Sequence, residues 1–415
     1  MSTQPLTPAA EASTSPTSAG ASPRVFSLFC LGGYLLSMSY GTTFLLALLV
    51  ASRGGNEGDT GLIISTAIVS TIVAVILSGH ASDAVGAPRA VGVSGLILSA
   101  SCLGFALVPG VGQSMRICGL LLGCGWGAFY TLGPIIVAAI VEPARRIRYF
   151  ALLSGSMMSG IGSGPILGRG AKLLGWPLEA TYWLAAATSL CGALIFFFLH
   201  EPIRRITATQ GAARATRLSW ASLLRVLQAK AVFPIAMVGL GGAIFGGLSS
   251  FQTAYAAAKG LDFSIFFIGF MGAAIGCRML LSGIVVRQNP HLAAAVLTFL
   301  VVLSIAMFRF LVSDWPSYLL ASVTLGVGYG LTYSVINGLA ANEAPQGETP
   351  QALLLFSLSY FIGVFGYPLL AGHLIVAQGI PALLSATMLI ALGNFAIALG
   401  RLLPRLRAMA RQTTG

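Results

Sequence analysis

Two nine-residue stretches of this chain set aromatic and hydroxyl side chains on glycine-rich backbone: GCGWGAFYT, from Gly123 to Thr131, and GVGYGLTYS, from Gly326 to Ser334. In each, two aromatic residues stand four apart, Trp126 with Tyr130 and Tyr329 with Tyr333, so they share one face of a helix. Rings that carry a hydroxyl or an indole N–H suit recognition of a small amphipathic molecule, offering apolar area together with a polar tip. Candidates of the same kind are Ser39, Tyr40 and Thr43, then Ser250, Gln252 and Tyr255, and Asn337 after the second stretch. Arg278 adds charge: it lies about eight residues, roughly 12 Å at the helical rise, inside an apolar run. A charge at such depth is costly and marks a pathway by default. Cations there without a buried acid favour an anionic or carboxylate-bearing ligand. The competing reading of Arg278 is structural, with the guanidinium bonding helix-end carbonyls.

No covalent chemistry is indicated. HExxH, CxxC, GxSxG and P-loop patterns are absent, and the six cysteines fall in apolar runs without ligand spacing. The chain is therefore read as a non-enzyme with no metal or cofactor. A binding role for nucleic acid is excluded because no basic cluster sits on a polar domain with aromatic partners.

The elements that position these residues are membrane helices. Hydrophobic residues make up 56% of the chain and charged ones 8%, too little polar surface to coat a 415-residue globule. Twelve apolar stretches, each near the 20 or so residues that cross a hydrocarbon core, are read at 25–51, 61–80, 90–109, 115–141, 149–172, 180–199, 231–256, 263–286, 292–311, 317–339, 351–376 and 382–403. The expected fold is all-α, with twelve transmembrane helices in two pseudo-symmetric bundles of six. A Ser-, Thr- and Pro-rich disordered tail covers 1–23, the first bundle 24–200, and a basic cytoplasmic connector 201–230, amphipathic from Trp220 to Leu227. The second bundle covers 231–403 and a basic tail 404–415.

Duplication underlies the two bundles. The glycine-rich stretches lie 203 residues apart, and the same shift carries Pro165 to Pro368. Parallel six-helix repeats place a substrate site near the midplane where they meet, so Trp126 and Tyr130 should oppose Tyr329 and Tyr333. Lys and Arg orient the chain: with the amino terminus inside, cytoplasmic segments hold 16 of the 23 basic residues, among them Arg24, Arg89, Arg145, Arg204, Arg225 and Arg401. Both termini are then cytoplasmic, in the cell (inner) membrane, and the net charge of +12 reflects topology and attraction to anionic lipid.

After the second span the chain reads GHASDAVGAPR, with Gly79, Asp83, Gly86 and Arg89 in an expected short cytoplasmic loop. Gly79 permits close helix approach, Gly86 a tight turn, and Asp83 can sit on the positive end of a neighbouring helix. This resembles the loop signature of the major facilitator superfamily, with Ala84, Ala87 and Pro88 where basic residues are common. The second half keeps a degenerate copy, Gly283 and Arg287, with no acid. In the fifth span SGIGSGPILGRG supplies Gly160, Gly164, Pro165 and Gly168. It resembles the G-x-x-x-G-P-x-x-G-G motif of the superfamily's drug–proton antiporters, with Arg169 replacing the last Gly. Gly164, Pro165, Gly168 and Pro368 are the expected bend positions.

The resemblance implies alternating access by two rocking bundles, gating through the Asp83 loop, and a pathway lined by helices one, four, seven and ten. The implied activity is proton-linked export of a small amphipathic or anionic organic compound by a monomer. Uptake or uniport of a metabolite is the rival within the same fold. The coupling group is the open question, because the first and fourth spans lack an acid and His373, Asp83 and Glu142 are the remaining titratable candidates.

Overall fold

A computed structural model describes residues 22–142, 145–210, 219–285 and 289–413. The expected tail before residue 22, and Arg214, Arg217 and Arg287, lie outside the described residues. In order, the helices are α1 (Pro23–Thr42), which continues through a 3-10 turn (Thr43–Leu45) into α2 (Leu46–Ser52), then α3 (Glu57–Val85), α4 (Ala87–Leu107), α5 (Gln113–Ile140), α6 (Arg146–Leu173) and α7 (Glu179–Gln210). After these come α8 (Trp220–Gln228), α9 (Val232–Ala258), α10 (Ser264–Val285), α11 (Pro290–Phe310), α12 (Trp315–Asn342), α13 (Thr349–Gln378) and α14 (Ile380–Thr413). Among the described residues there is no strand, and eleven helices are long and apolar enough to cross a membrane, with Ser264–Arg278 a shorter apolar stretch inside α10.

The local sequence explains the helix ends. Asn56 and Asp314 each accept from a backbone N–H three residues on, while Asp59 and Ser317 answer back to the cap; both are capping boxes. Pro88, Pro290, Pro316 and Pro350 sit in first turns, where the missing N–H has no helical partner to lose. Two boundaries differ from the sequence reading. α7 runs through Pro202 to Gln210 and α14 runs to Thr413, because polar helix formers extend each helix past its apolar stretch. The segment from Gly79 to Arg89 is not a loop: Asp83 lies in the last turn of α3, Arg89 in the first turn of α4, and Gly86 alone links them at φ +86°. That angle suits a residue without a Cβ.

α1 packs on α6 and α7, α3 on α5, and α4 on α5 and α7; α9 packs on α13, α10 on α12, and α11 on α12 and α14. Contact between the two halves of the sequence runs through α3 with α13 and α6 with α10. The 203-residue repeat is visible in side-chain contacts as well as in letters. Ser101 Oγ donates to the Cys118 carbonyl at 2.8 Å, and its repeat partner Ser304 donates to the Ala321 carbonyl at 2.7 Å. A methyl on Gly123 would overlap the Ala67 carbonyl; one on Gly326 would overlap the Phe270 carbonyl, the same contact one repeat later.

Both α1 and α9 begin on the face of the protein where α3, α5 and α7 end, which we call the terminal face. There α1 meets α6 through Phe26 and Tyr149, at 4.3 Å between ring centres. Toward the opposite face, the run from α1 into α2 is buried on all sides from Leu36 to Ala47 and α9 from Gly242 to Thr253. Toward that face the halves also meet through the 3-10 turn and α9, where Phe44 packs on Phe245 at 5.7 Å between ring centres.

Candidate substrate site at the seam

The glycine-rich stretches lie in α5 and α12, and the structure brings their tyrosines together. Tyr130 Oη and Tyr333 Oη are 2.5 Å apart, a hydrogen bond between residues one repeat apart. Tyr360 of α13 completes the group: its ring stacks on Tyr130 at 6.0 Å and stands edge-on to Tyr333 at 5.7 Å. Tyr329 Oη donates to Tyr360 Oη at 3.4 Å. On the α5 side, Trp126 stacks on Tyr40 at 4.7 Å and 9° between planes, and touches Tyr130 at 6.0 Å. Phe361 and Phe365 of α13 close the back, against Tyr130 and Tyr40 respectively. Small residues on α5 and α12 allow these helices to seat against α3 and α10 with no side chain between backbones, which fixes the direction in which the aromatics project.

Arg278 of α10 reaches this group. Its Nε donates to the Gly330 carbonyl at 2.9 Å and its Nη1 to Ser154 Oγ at 2.7 Å, while the guanidinium carbon lies 5.5 Å from the centre of the Tyr333 ring. The carbonyl it bonds is in the middle of α12 and not at a helix end. Through Ser154 on α6 and Gly330 on α12, one cation ties together both halves of the sequence beside four tyrosines. A cation over an aromatic face is attracted to the ring quadrupole.

Two other expected ligands have their polar atoms engaged elsewhere. Gln252 is 1% exposed, and its Oε1 accepts from Tyr318 Oη at 2.8 Å. Tyr255 Oη donates to the Phe308 carbonyl at 2.8 Å. At their level α9 is enclosed on all sides, so they pack within the second sequence half and not against the tyrosine group. Asn337 is half-buried, two turns along α12 from Tyr329. Sequence reading missed Ser154 and Tyr360. The Tyr360, Phe361 and Phe365 spacing was an available signal, whereas Ser154 follows only from the packing of α6 on α10.

The residues expected to gate sit at the terminal face. Gly79 is buried in α3, and Asp83 and Arg89 are exposed. Ser82, Asp83 and Gly86 line a cleft of about 420 Å³ with Ile135, His200 and Arg204. A side chain at Gly86 would meet the His200 ring. The GxxxGP motif packs α6 on α1: methyls on Gly160 and Gly164 would overlap backbone at Tyr34 and Gly41. Both α6 and α13 continue as helices through Pro165 and Pro368. Arg169, the departure from the motif, pairs with Asp262 at 3.1 Å and donates to Ser264 Oγ at 3.0 Å, so it joins α6 to the α9–α10 turn toward the opposite face. Burial alone would raise the Asp262 carboxyl, but hydrogen bonds from Ser264 and the charges of Arg169 and Lys172 hold it below the usual aspartate value. His373 is exposed, its Nδ1 2.7 Å from the Leu369 carbonyl of its own helix.

Among solved structures, the chain is similar to the human organic anion transporter MFSD10 (TETRAN), with 17% identity, a TM-score of 0.65, and 91% of this chain and 100% of that one covered. It is also similar to the nucleoside transporter NupG, with 14% identity, a TM-score of 0.71, and 91% and 98% covered. At these identities the likeness establishes the fold alone. No curated protein matches the chain by sequence. The family model described as Major Facilitator Superfamily matches residues 27–368. With eleven apolar helices among the described residues, a loop signature condensed onto Gly86 and a seam where repeat-related tyrosines meet, the chain is a multi-pass membrane transporter that belongs to the major facilitator superfamily.

Proposed function

We propose that this protein is a secondary active transporter that exports a small amphipathic or anionic organic compound by alternating access. The observation that carries the reading is the Tyr130–Tyr333 hydrogen bond with Arg278 beside it: aromatic area, phenolic hydroxyls and one half-buried cation at the meeting of two repeats. In this reading α10 is the twelfth crossing, and two bundles of six, 24–200 and 231–403, rock about the seam. Residues 201–230 connect them, and the termini, residues 1–23 and 404–415, lie in the cytoplasm beneath the inner membrane. Trp126, Tyr130, Tyr329, Tyr333, Tyr40 and Arg278 contact the cargo, and Asn337 lies on its path to the terminal face. Gly79, Asp83, Gly86 and Arg89 gate that face, and the helices flex at Gly164, Pro165, Gly168 and Pro368. The functional unit is a monomer.

Export and proton linkage are supported by the antiporter-like motif of α6. One observation favours the rival, uptake or uniport: α1, α5, α9 and α12, which carry most of the aromatic group, contain no Asp or Glu, so no carboxylate on them can carry a coupled proton. Flux in inverted vesicles with and without a pH gradient tests the choice. Gradient-driven accumulation in inverted vesicles is expected, and gradient-independent equilibration would establish uniport instead. Arg278→Gln is expected to slow anionic cargo at least tenfold more than neutral cargo; equal slowing of both would remove Arg278 from the site.

A further inference from the structure

We infer that α8 is a membrane-docking surface that lies in the headgroup–acyl boundary of an anionic leaflet. The helix is seated on the protein by Val226, which is fully buried, and by Ser222 and half-buried Leu223. Arg225 fastens it, its Nε donating to Glu348 Oε1 at 2.9 Å, where Glu348 is the residue that precedes α13. From this seat the apolar surface continues outward instead of ending. Trp220 is 81% exposed, Leu224 55% and Leu227 44%, and at 3.6 residues per turn these three span only about 60° of the helix circumference. Gln228, Ala221 and Arg225 form a polar edge that begins beside Leu224 and is centred about 100° round the helix from that face.

The occupant of the apolar face follows from where the helix is. α8 ends at Gln228, four residues before α9 begins at Val232, and its ion pair reaches the start of α13. Two membrane-crossing helices therefore begin at its level, so the boundary of the bilayer passes along α8. A short helix with a polar edge and a Trp–Leu face is the form that lies in such a boundary, and Trp favours the interface itself. Exposed Lys230 and the chain's net charge of +12 complement anionic headgroups. The inference rests on membrane embedding alone and is independent of cargo and direction.

The test uses the full chain in vesicles of phosphatidylcholine with phosphatidylglycerol. Spin labels at Leu227→Cys and Ala221→Cys, about 120° apart on the helix, in a variant without the native cysteines, report access to oxygen and to a water-soluble nickel complex. The Leu227 label is expected to collide with oxygen and be shielded from nickel, the Ala221 label the reverse. A Leu227 label open to nickel overturns the proposal, as does one shielded from both reagents, which would show a second copy or a soluble protein on the face. The native protein gives an independent reading through its five tryptophans: brominated lipid should quench wild type more than Trp220→Phe, and equal quenching would overturn the assignment.

Discussion

Replacing Tyr130 by Phe removes one oxygen and leaves the ring, so its contacts with Tyr360 and Phe361, at 6.0 and 5.1 Å, survive. What is lost is the 2.5 Å bond to Tyr333 Oη. The net worth of such a bond is about 0.5–1.5 kcal/mol, and stranding a buried partner hydroxyl adds to that, up to about 1–3 kcal/mol in all. Membrane helices give smaller averages, about 0.6 kcal/mol. Tyr130→Phe and Tyr333→Phe should therefore each cost about 1–2 kcal/mol, whereas the double variant, with no hydroxyl left stranded, should cost about the same as one alone. The expected coupling is therefore also about 1–2 kcal/mol. Because the bond crosses the seam, the loss should also shift the balance between conformations by about five- to tenfold. Equilibrium unfolding in mixed micelles measures the first quantity, and pulsed EPR distances between labels at the terminal ends of α5 and α12 the second. Costs that add within about 0.3 kcal/mol would mean that the two hydroxyls do not meet, and the site built on them would fail.

Gly61→Ala puts a methyl against the Pro368 carbonyl and should cut transport more than tenfold in folded protein, while Gly110→Ala, with open space around it, should leave transport unchanged; equal flux for both would remove α3–α13 closure from the cycle. Asp262→Asn should raise cysteine accessibility at the opposite face by no more than about fivefold, since a half-exposed pair is worth under about 1 kcal/mol. The Asp262 carboxyl is held below its ordinary value, so the ion pair is intact above that value, about pH 4, and is lost as pH falls through the lowered one. Wild-type accessibility should then be flat from about pH 5 to 8, and a step in that window would contradict the assignment. Ser101→Ala and Ser304→Ala should each cost about 0.6 kcal/mol in the same unfolding assay, and effects differing by more than about 1 kcal/mol would deny that the duplicated contacts are equivalent.

The sequence made the repeat legible because glycine is the side chain that a close helix crossing requires. Gly123 and Gly326 mark equivalent crossings in the fold as they do in the chain. Tyr130 and Tyr333 followed, since duplication constrains where matched residues point. Gln252 and Tyr255 did not follow. Their residue types suited a cavity, yet α9 is enclosed at that level and their polar atoms meet Tyr318 and Phe308; helix rotation is set by packing on all sides, which a strongly apolar helix does not encode in its periodicity. Ser154 was invisible for a related reason, because it matters only through the cation that α10 brings from the other half of the chain. The segment from Gly79 to Arg89 looked like a loop from hydropathy, although a helix can outlast its apolar stretch and did so up to Gly86.

Where α3 and α13 meet, Gly61 lies on the backbone at Pro368 and Gly372 on the backbone at Glu57. At these two points backbone meets backbone with no side chain between, a crossing that in the proposed cycle acts as a bearing on one flank of the seam, with Arg169 and Asp262 a hook on the other. Opening toward the opposite face should begin with release of the hook, and the bearing should set the axis about which the swing proceeds.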